Sequence, residues 1–148
     1  MSIELIKQLR ELTGLSVIEC KKALEQAKFD LEKAKAILKA RAGEFAAKKA
    51  ERATNQGIVT AYIHPNKKTG VLLTLLCETD FVAKNNDFEE LAHELTLQLA
   101  AWNAASVFAL LEQSWIKDST KSIKQLVQEY IAKVGENIKV GEFKRFTL

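Results

Sequence analysis

Seven consecutive residues near the middle of the chain, Val71-Leu72-Leu73-Thr74-Leu75-Leu76-Cys77, are apolar at every position but Thr74. The run is too short for a typical helix and reads as a strand buried on both faces. Any fold for this chain must therefore cover the strand above and below. Just before it, Val59, Ala61 and Ile63 alternate with Ile58, Thr60 and Tyr62, the period-two pattern of a second strand. Pro65-Asn66-Lys67-Lys68-Thr69-Gly70 between them is a turn or short loop. The two strands are expected to form an antiparallel hairpin.

After the hairpin, Phe88, Leu91, Ala92, Leu95, Leu99 and Trp102 share one face of a predicted helix, with Asp87 and Glu90 at capping spacing. Residues 103–118 show no clear periodicity. A last helix is expected from Thr120 to Val134, with Ile123, Leu126, Val127, Tyr130 and Ile131 inward and Gly135 as its C-cap. Ile138, Val140, Phe143 and Phe146 mark a third strand, in which Gly141 shifts the alternation by one and implies a bulge. Two helices of this length cover one sheet face. A second copy of the chain, or the N-terminal part folded back, would have to cover the other.

The N-terminal part is helical throughout. Leu5, Leu9 and Leu12, widened by Ile6, form one stripe that Thr13-Gly14 ends. Ser16, three residues before Glu19, starts a second helix with Val17, Cys20, Leu24 and Ala27 inward. Asp30 caps a third, with Leu31, Ala34, Leu38, Ala42 and Phe45 on one face. The division is residues 1–45 as a helical bundle, 46–56 as a helical or flexible connector, and 57–148 as a second unit. The fold class is α+β: a three-helix N-terminal bundle, then an antiparallel three-stranded sheet packed with helices. Such a small bundle leans on a neighbour or partner.

Charge follows the same division. Residues 1–56 hold 12 basic and 8 acidic residues, and residues 57–148 hold 10 and 11. The overall net charge of +3 is too small to hold nucleic acid by bulk charge. A nucleic-acid-binding module using the basic N-terminal helices is the alternative reading. Against it, acids alternate with the bases there, and Phe29 and Phe45 are the only aromatics in that half. A small adaptor built on the bundle alone gives the second unit no role. No stretch approaches the roughly 18 apolar residues of a membrane span, and no signal peptide is read at Met1–Lys7, so a cytoplasmic protein is expected. Cys20 and Cys77 sit in apolar patterns as reduced thiols, and His64 and His93 have no metal-ligand spacing with them. No phosphate-cradling loop and no nucleophile constellation is seen, so neither an enzyme nor a cofactor or metal is expected.

Two places stand out as contact candidates. Thr79-Asp80-Phe81-Val82-Ala83-Lys84-Asn85 has neither strand nor helix period, yet sets a bulky aromatic beside an acid. Phe81 is either a core plug under the following helix or a protruding anchor for a partner's pocket. Ile18 falls opposite the stripe of its helix at about 100° per residue. It is either an isolated exposed side chain or a docking point.

Both places carry a resemblance. Glu11-Leu12-Thr13-Gly14 with Cys20-Lys21-Lys22-Ala23-Leu24 resembles the N-terminal signature of the elongation factor Ts family. Thr79 to Asn85 is similar to that family's central signature, and Ile131-Ala132-Lys133-Val134-Gly135-Glu136-Asn137-Ile138 to a third. The resemblance implies a guanine-nucleotide exchange factor for the GTPase elongation factor Tu, with a UBA-like N-terminal domain and no nucleotide site of its own. It implies that Asp80 and Phe81 enter the partner near its magnesium and phosphate site. Thr79, Val82, Ala83, Lys84 and Asn85 complete that contact, and Leu9, Val17 and Ile18 make a second. The chain ends about ten residues after the third signature, like short family members that act as homodimers. It departs from the family at Gln98 and Ala104, where a histidine and a proline are expected. It also lacks an insertion near residues 105–110, and Gly141-Glu142 stands where a basic pair is expected.

Overall fold

The computed structural model describes residues 3–148. Met1 and Ser2, the start of the amphipathic N-terminus, lie outside the described residues. Helices α1 (Ile3–Thr13), α2 (Val17–Gln26) and α3 (Leu31–Lys49) form the N-terminal bundle. The side chain of Ser16 accepts the Glu19 N–H and that of Asp30 accepts the Lys33 N–H, so both expected caps are present. Leu9, Cys20, Ala23, Leu24, Ala27, Ala34 and Leu38 make the bundle core. Leu12 and Val17 were expected inside and are exposed instead. Val17 is the first residue of its helix, where a side chain leans back over the preceding turn, away from the core. Leu12 sits in the last turn of α1.

The second unit is built on a sheet of order β1 (Gln56–Ile63), β2 (Thr69–Cys77) and β5 (Ile138–Thr147), all antiparallel. Gly57 lies so close to β2 that an added Cβ would stand 2.2 Å from the Leu75 carbonyl oxygen. The expected bulge is present at Gly141-Glu142: Leu73 pairs with Phe143 but Leu75 with Val140. Thr74 fills it, its hydroxyl oxygen accepting the Glu142 N–H at 2.7 Å.

One sheet face is covered by α5 (Asn86–Ala101) and α7 (Ile123–Val134), which bury Val71, Leu73, Leu75 and Cys77 against Phe88, Leu91, Leu95, Leu99, Leu126 and Ile131. The other face carries Val59, Ile63, Leu72 and Phe146, all exposed. The register puts them there, since Val59 pairs with Thr74 and Lys144 with Leu72 on the side away from Leu73. The strand is thus buried on one face only. The N-terminal bundle does not fold back over the open face. Its α3 packs on α7 at the far side, adding Ala46 to the core of the second unit.

Four further sequence readings change. Residues 103–118 are not irregular: α6 (Val107–Glu112), capped by Ser106, leads into a small hairpin of β3 (Ser114–Trp115) and β4 (Asp118–Ser122). The last helix begins at Ile123 rather than Thr120, because Ser122 and Gln125 form a capping box and Thr120 lies in β4. Helix α5 is capped by Asn85, whose side chain accepts the Asp87 N–H at 2.7 Å, so Asp87 lies inside the helix. At its other end Trp102 takes an extended conformation and leaves the buried stripe, 55 % exposed. Among the described residues no helix is long and apolar enough to cross a membrane.

Candidate partner-binding site

Between β2 and α5 the chain makes one turn of helix, α4 (Asp80–Ala83). Four residues cannot hold a helix by their own hydrogen bonds. Three local features hold this one. Thr79 is its N-cap, its hydroxyl oxygen accepting the Val82 N–H at 3.3 Å. Val82 and Ala83 are buried in the core beneath it. Asn85 then ends the turn and starts α5. With Val82 and Ala83 facing in, Asp80 and Phe81 must face out, and Phe81 is 90 % exposed. The core-plug reading of Phe81 is excluded.

Asp80 carries an ion pair with Lys84 one turn on, at 2.9 Å. Both side chains are mostly in solvent, so the pair is screened and opens at little cost. The hydrogen bond to Asp80, with its charge, raises the Lys84 pKa and keeps the ammonium charged. The outward surface is therefore an aromatic ring flanked by a carboxylate and an ammonium.

The base of the turn is tied to the residues after α7. Gly135 caps α7 at φ +76°, a left-handed conformation that glycine adopts without strain. The reversal sends Glu136 back toward the hairpin end. Its carboxylate accepts the Thr79 N–H at 2.9 Å and the Thr79 O–H at 2.7 Å. Conversely, the Glu78 carboxylate accepts the Asn137 N–H at 2.6 Å. The buried Asn137 amide donates to the Arg52 carbonyl at 2.9 Å, fixing the connector to the same junction. Lys49 donates to the Gly135 carbonyl at 2.8 Å. The sequence places Glu136 and Asn137 within a signature but assigns them no role, since contacts across about 60 residues leave no local pattern. Burial pushes the Cys77 thiol up from its usual range, with the Glu136 charge next in effect.

The second expected contact lies on the bundle. Ile18 is 64 % exposed and Val17 47 % exposed, side by side at the start of α2. Leu9 is fully buried in the bundle core and has no surface to offer. Of the ten expected contact residues, Val17, Ile18, Asp80, Phe81, Lys84 and Asn85 are exposed. Thr79 is half-buried, and Leu9, Val82 and Ala83 are buried supports. Among the described residues no three of His, Cys, Asp and Glu converge as a metal would require.

The family model described as elongation factor TS matches residues 78–148, a span that includes α4 and Glu136. Elongation factor Ts of Thermotoga maritima is 39 % identical over 191 aligned positions, covering 100 % of this chain and 96 % of the relative. The protein of that name from Coprothermobacter proteolyticus is 39 % identical over 193 positions, covering 100 % and 98 %. The chain belongs to the elongation factor Ts family. An elongation factor Ts relative of this kind acts in translation elongation, and that role extends to this chain. The 191 aligned positions against 148 residues leave 43 that face no residue here, so this member is trimmed relative to those of Thermotoga.

Gln98, where the resemblance led to the expectation of a histidine, has a structural role. Gln98 is fully buried on α5. Its Nε2 donates to Gln113 Oε1 and to the Ser114 carbonyl, both at 3.0 Å, and its Oε1 accepts the Ile116 N–H at 2.9 Å. It holds the β3–β4 hairpin to the core and presents no surface to a partner.

Proposed function

We propose that the chain is a guanine-nucleotide exchange factor for elongation factor Tu, working in the cytoplasm. The observation that carries this reading is Phe81, 90 % exposed on a turn whose neighbours Val82 and Ala83 are buried. A folded chain gains up to about 1.5–3 kcal/mol by burying such a side chain. Here it stays in water on an anchored turn, which suits an aromatic anchor for a partner's pocket. Phe81 and Asp80 enter elongation factor Tu beside its magnesium and phosphate site, the carboxylate competing for the ion's surroundings and the ring displacing what holds them. Lys84 and Asn85 border the contact, while Thr79, Val82 and Ala83 support it. Val17 and Ile18, at the tip of a UBA-like domain, make the second contact. Leu9 supports that domain from within.

Exchange needs no bond chemistry. The factor binds the nucleotide-free GTPase better than the GDP-bound one, and this difference is what speeds GDP loss. Linkage then requires GDP to weaken the factor's own binding by the same factor. Titrating labelled chain with elongation factor Tu, with and without saturating GDP, tests this directly. The reading expects at least tenfold weaker binding with GDP, and equal affinity in both states refutes it.

The chain is further proposed to act as a homodimer through the open sheet face. Val59, Ile63, Leu72 and Phe146 form an apolar patch there, of a kind that marks interaction surfaces. Light scattering at micromolar concentration should give twice 16.6 kDa, and Leu72→Lys should give the monomer. A monomeric mass for the unaltered chain refutes the dimer.

A further inference from the structure

We propose that Glu136 is a positioning residue for Phe81, holding the α4 turn in its binding-competent shape before any partner arrives. The inference rests on the exchange-factor reading and adds a residue to it. An isolated four-residue helix is unstable, so something beyond α4 must order it. Val82 and Ala83 anchor its inner side, and Thr79 stands at its N-terminal end. That end is where Glu136 acts. Its two carboxylate oxygens take both donors of Thr79, the amide at 2.9 Å and the hydroxyl at 2.7 Å. Two charge-assisted bonds to one residue fix both its backbone and its side chain.

The second bond does more than tether. A threonine hydroxyl has one hydrogen and two lone pairs. With the hydrogen committed to Glu136, a lone pair is left to accept the Val82 N–H, the bond that caps α4. The carboxylate thus orients the cap, and the polarised hydroxyl is the better acceptor for it. Carboxylate, hydroxyl and helix amide form one chain of hydrogen bonds that ends beside Phe81. The Glu78 carboxylate on the Asn137 N–H closes the junction from the other side, at 2.6 Å. Cys77 pairs with Ile138 in the last rung of the sheet, and the two acids continue the pairing where the strands diverge. The Gly135-Glu136-Asn137 signature thereby acquires a role. Through Glu136 it sets the aim of the turn that carries Phe81.

The experiment has two arms, both on the full chain. In the first, native-state amide hydrogen exchange is compared between the wild type and Glu136→Ala in the free protein. The amides of Val82, Ala83, Lys84 and Asn85, all hydrogen-bonded within the turn, should exchange about tenfold faster or more. Those of Leu91, Leu95 and Leu99 on α5 should keep their protection. In the second, release of a fluorescent GDP analogue from elongation factor Tu is followed against factor concentration. A turn that is competent only part of the time lowers apparent affinity by that fraction. The half-maximal concentration should rise about tenfold while the rate at saturation stays within twofold. Should Glu136→Ala not fold, Glu136→Gln keeps the shape but faces the Thr79 donors with an amide, and a threefold change in both readouts is expected.

Unchanged amide exchange at residues 82–85 overturns the proposal. So does faster amide exchange with an unmoved half-maximal concentration, because the ordering would then have no bearing on binding. A general loss of protection across α5 assigns Glu136 to fold stability instead and also overturns it. If the wild-type chain itself fails to speed GDP release, the exchange reading falls, and the amide comparison alone then decides whether Glu136 orders the turn.

Discussion

Replacing Gln98 should unfasten the β3–β4 hairpin from the core. In the native chain its side chain is fully buried and makes three hydrogen bonds, two as donor and one as acceptor. Gln98→Ala removes all three, at about 0.5–1.5 kcal/mol net each. The expected loss is ~3 kcal/mol, which lowers the melting temperature by roughly 6–12 °C in a chain of this size. Gln98→Glu separates hydrogen bonding from volume. The shape is unchanged, but a carboxylate oxygen replaces the donor that faces Gln113 Oε1 and the Ser114 carbonyl. No cation bonds Gln98, so the introduced acid should be held above the usual carboxylate range, near 4.3. The native state then keeps a proton that the unfolded chain has released. Relative to wild type, the deficit should be smallest below about pH 4 and should grow as pH rises toward the folded pKa. Urea unfolding at pH 4, 6 and 8, followed by the fluorescence of Trp115 in β3 and by circular dichroism, reads both effects. A loss under about 1 kcal/mol in Gln98→Ala, or a pH-independent deficit in Gln98→Glu, would refute this role for the residue.

Three further outcomes are expected of the fold. Burial pushes the thiols of Cys20 and Cys77 and, most strongly, the Tyr130 hydroxyl above their usual ranges. Above about pH 8.5 the unfolded chain loses these protons first, so stability should fall as pH rises further, and the urea midpoint at pH 10 should lie below that at pH 7. Thiol reagents should label both cysteines slowly in the native chain at pH 8 and quickly in urea. Gly57→Ala places a methyl 2.2 Å from the Leu75 carbonyl oxygen, in backbone that cannot yield without breaking the β1–β2 pairing. A loss of about 2 kcal/mol or more is expected in denaturant titration, and a change below about 0.5 kcal/mol would mean that the strands adjust freely.

Features set by neighbours in sequence were legible in advance. Ser16, Asp30 and Gly135 act within one turn of chain, and the caps they predict are all present. The bulge at Gly141 was equally readable, because alternation along one strand exposes a slipped residue. Errors gathered at helix ends. Val17 and Trp102 fit the buried stripe by angle, but the first begins its helix and the second follows the end of its own. Helix α6 spans under two turns, too short for a period to show. The double burial expected of β2 failed for another reason: Leu72 has the composition of a core residue while standing exposed on the open face. At the candidate site, composition could not choose between core plug and protruding anchor for Phe81. The choice follows from how Thr79 caps α4 and from which side the core of sheet and α5 lies, neither of which a local pattern reveals.

The central claim is that Phe81 drives nucleotide release rather than folding. Release of a fluorescent GDP analogue from elongation factor Tu, chased with excess GDP, should be accelerated by the wild-type chain. Phe81→Ala should cut that acceleration about 30-fold, the scale of a ~2 kcal/mol hot spot. Its melting temperature should hold within about 2 °C, because an exposed side chain changes stability by no more than ~0.5 kcal/mol. Equal acceleration by Phe81→Ala and wild type would contradict the claim.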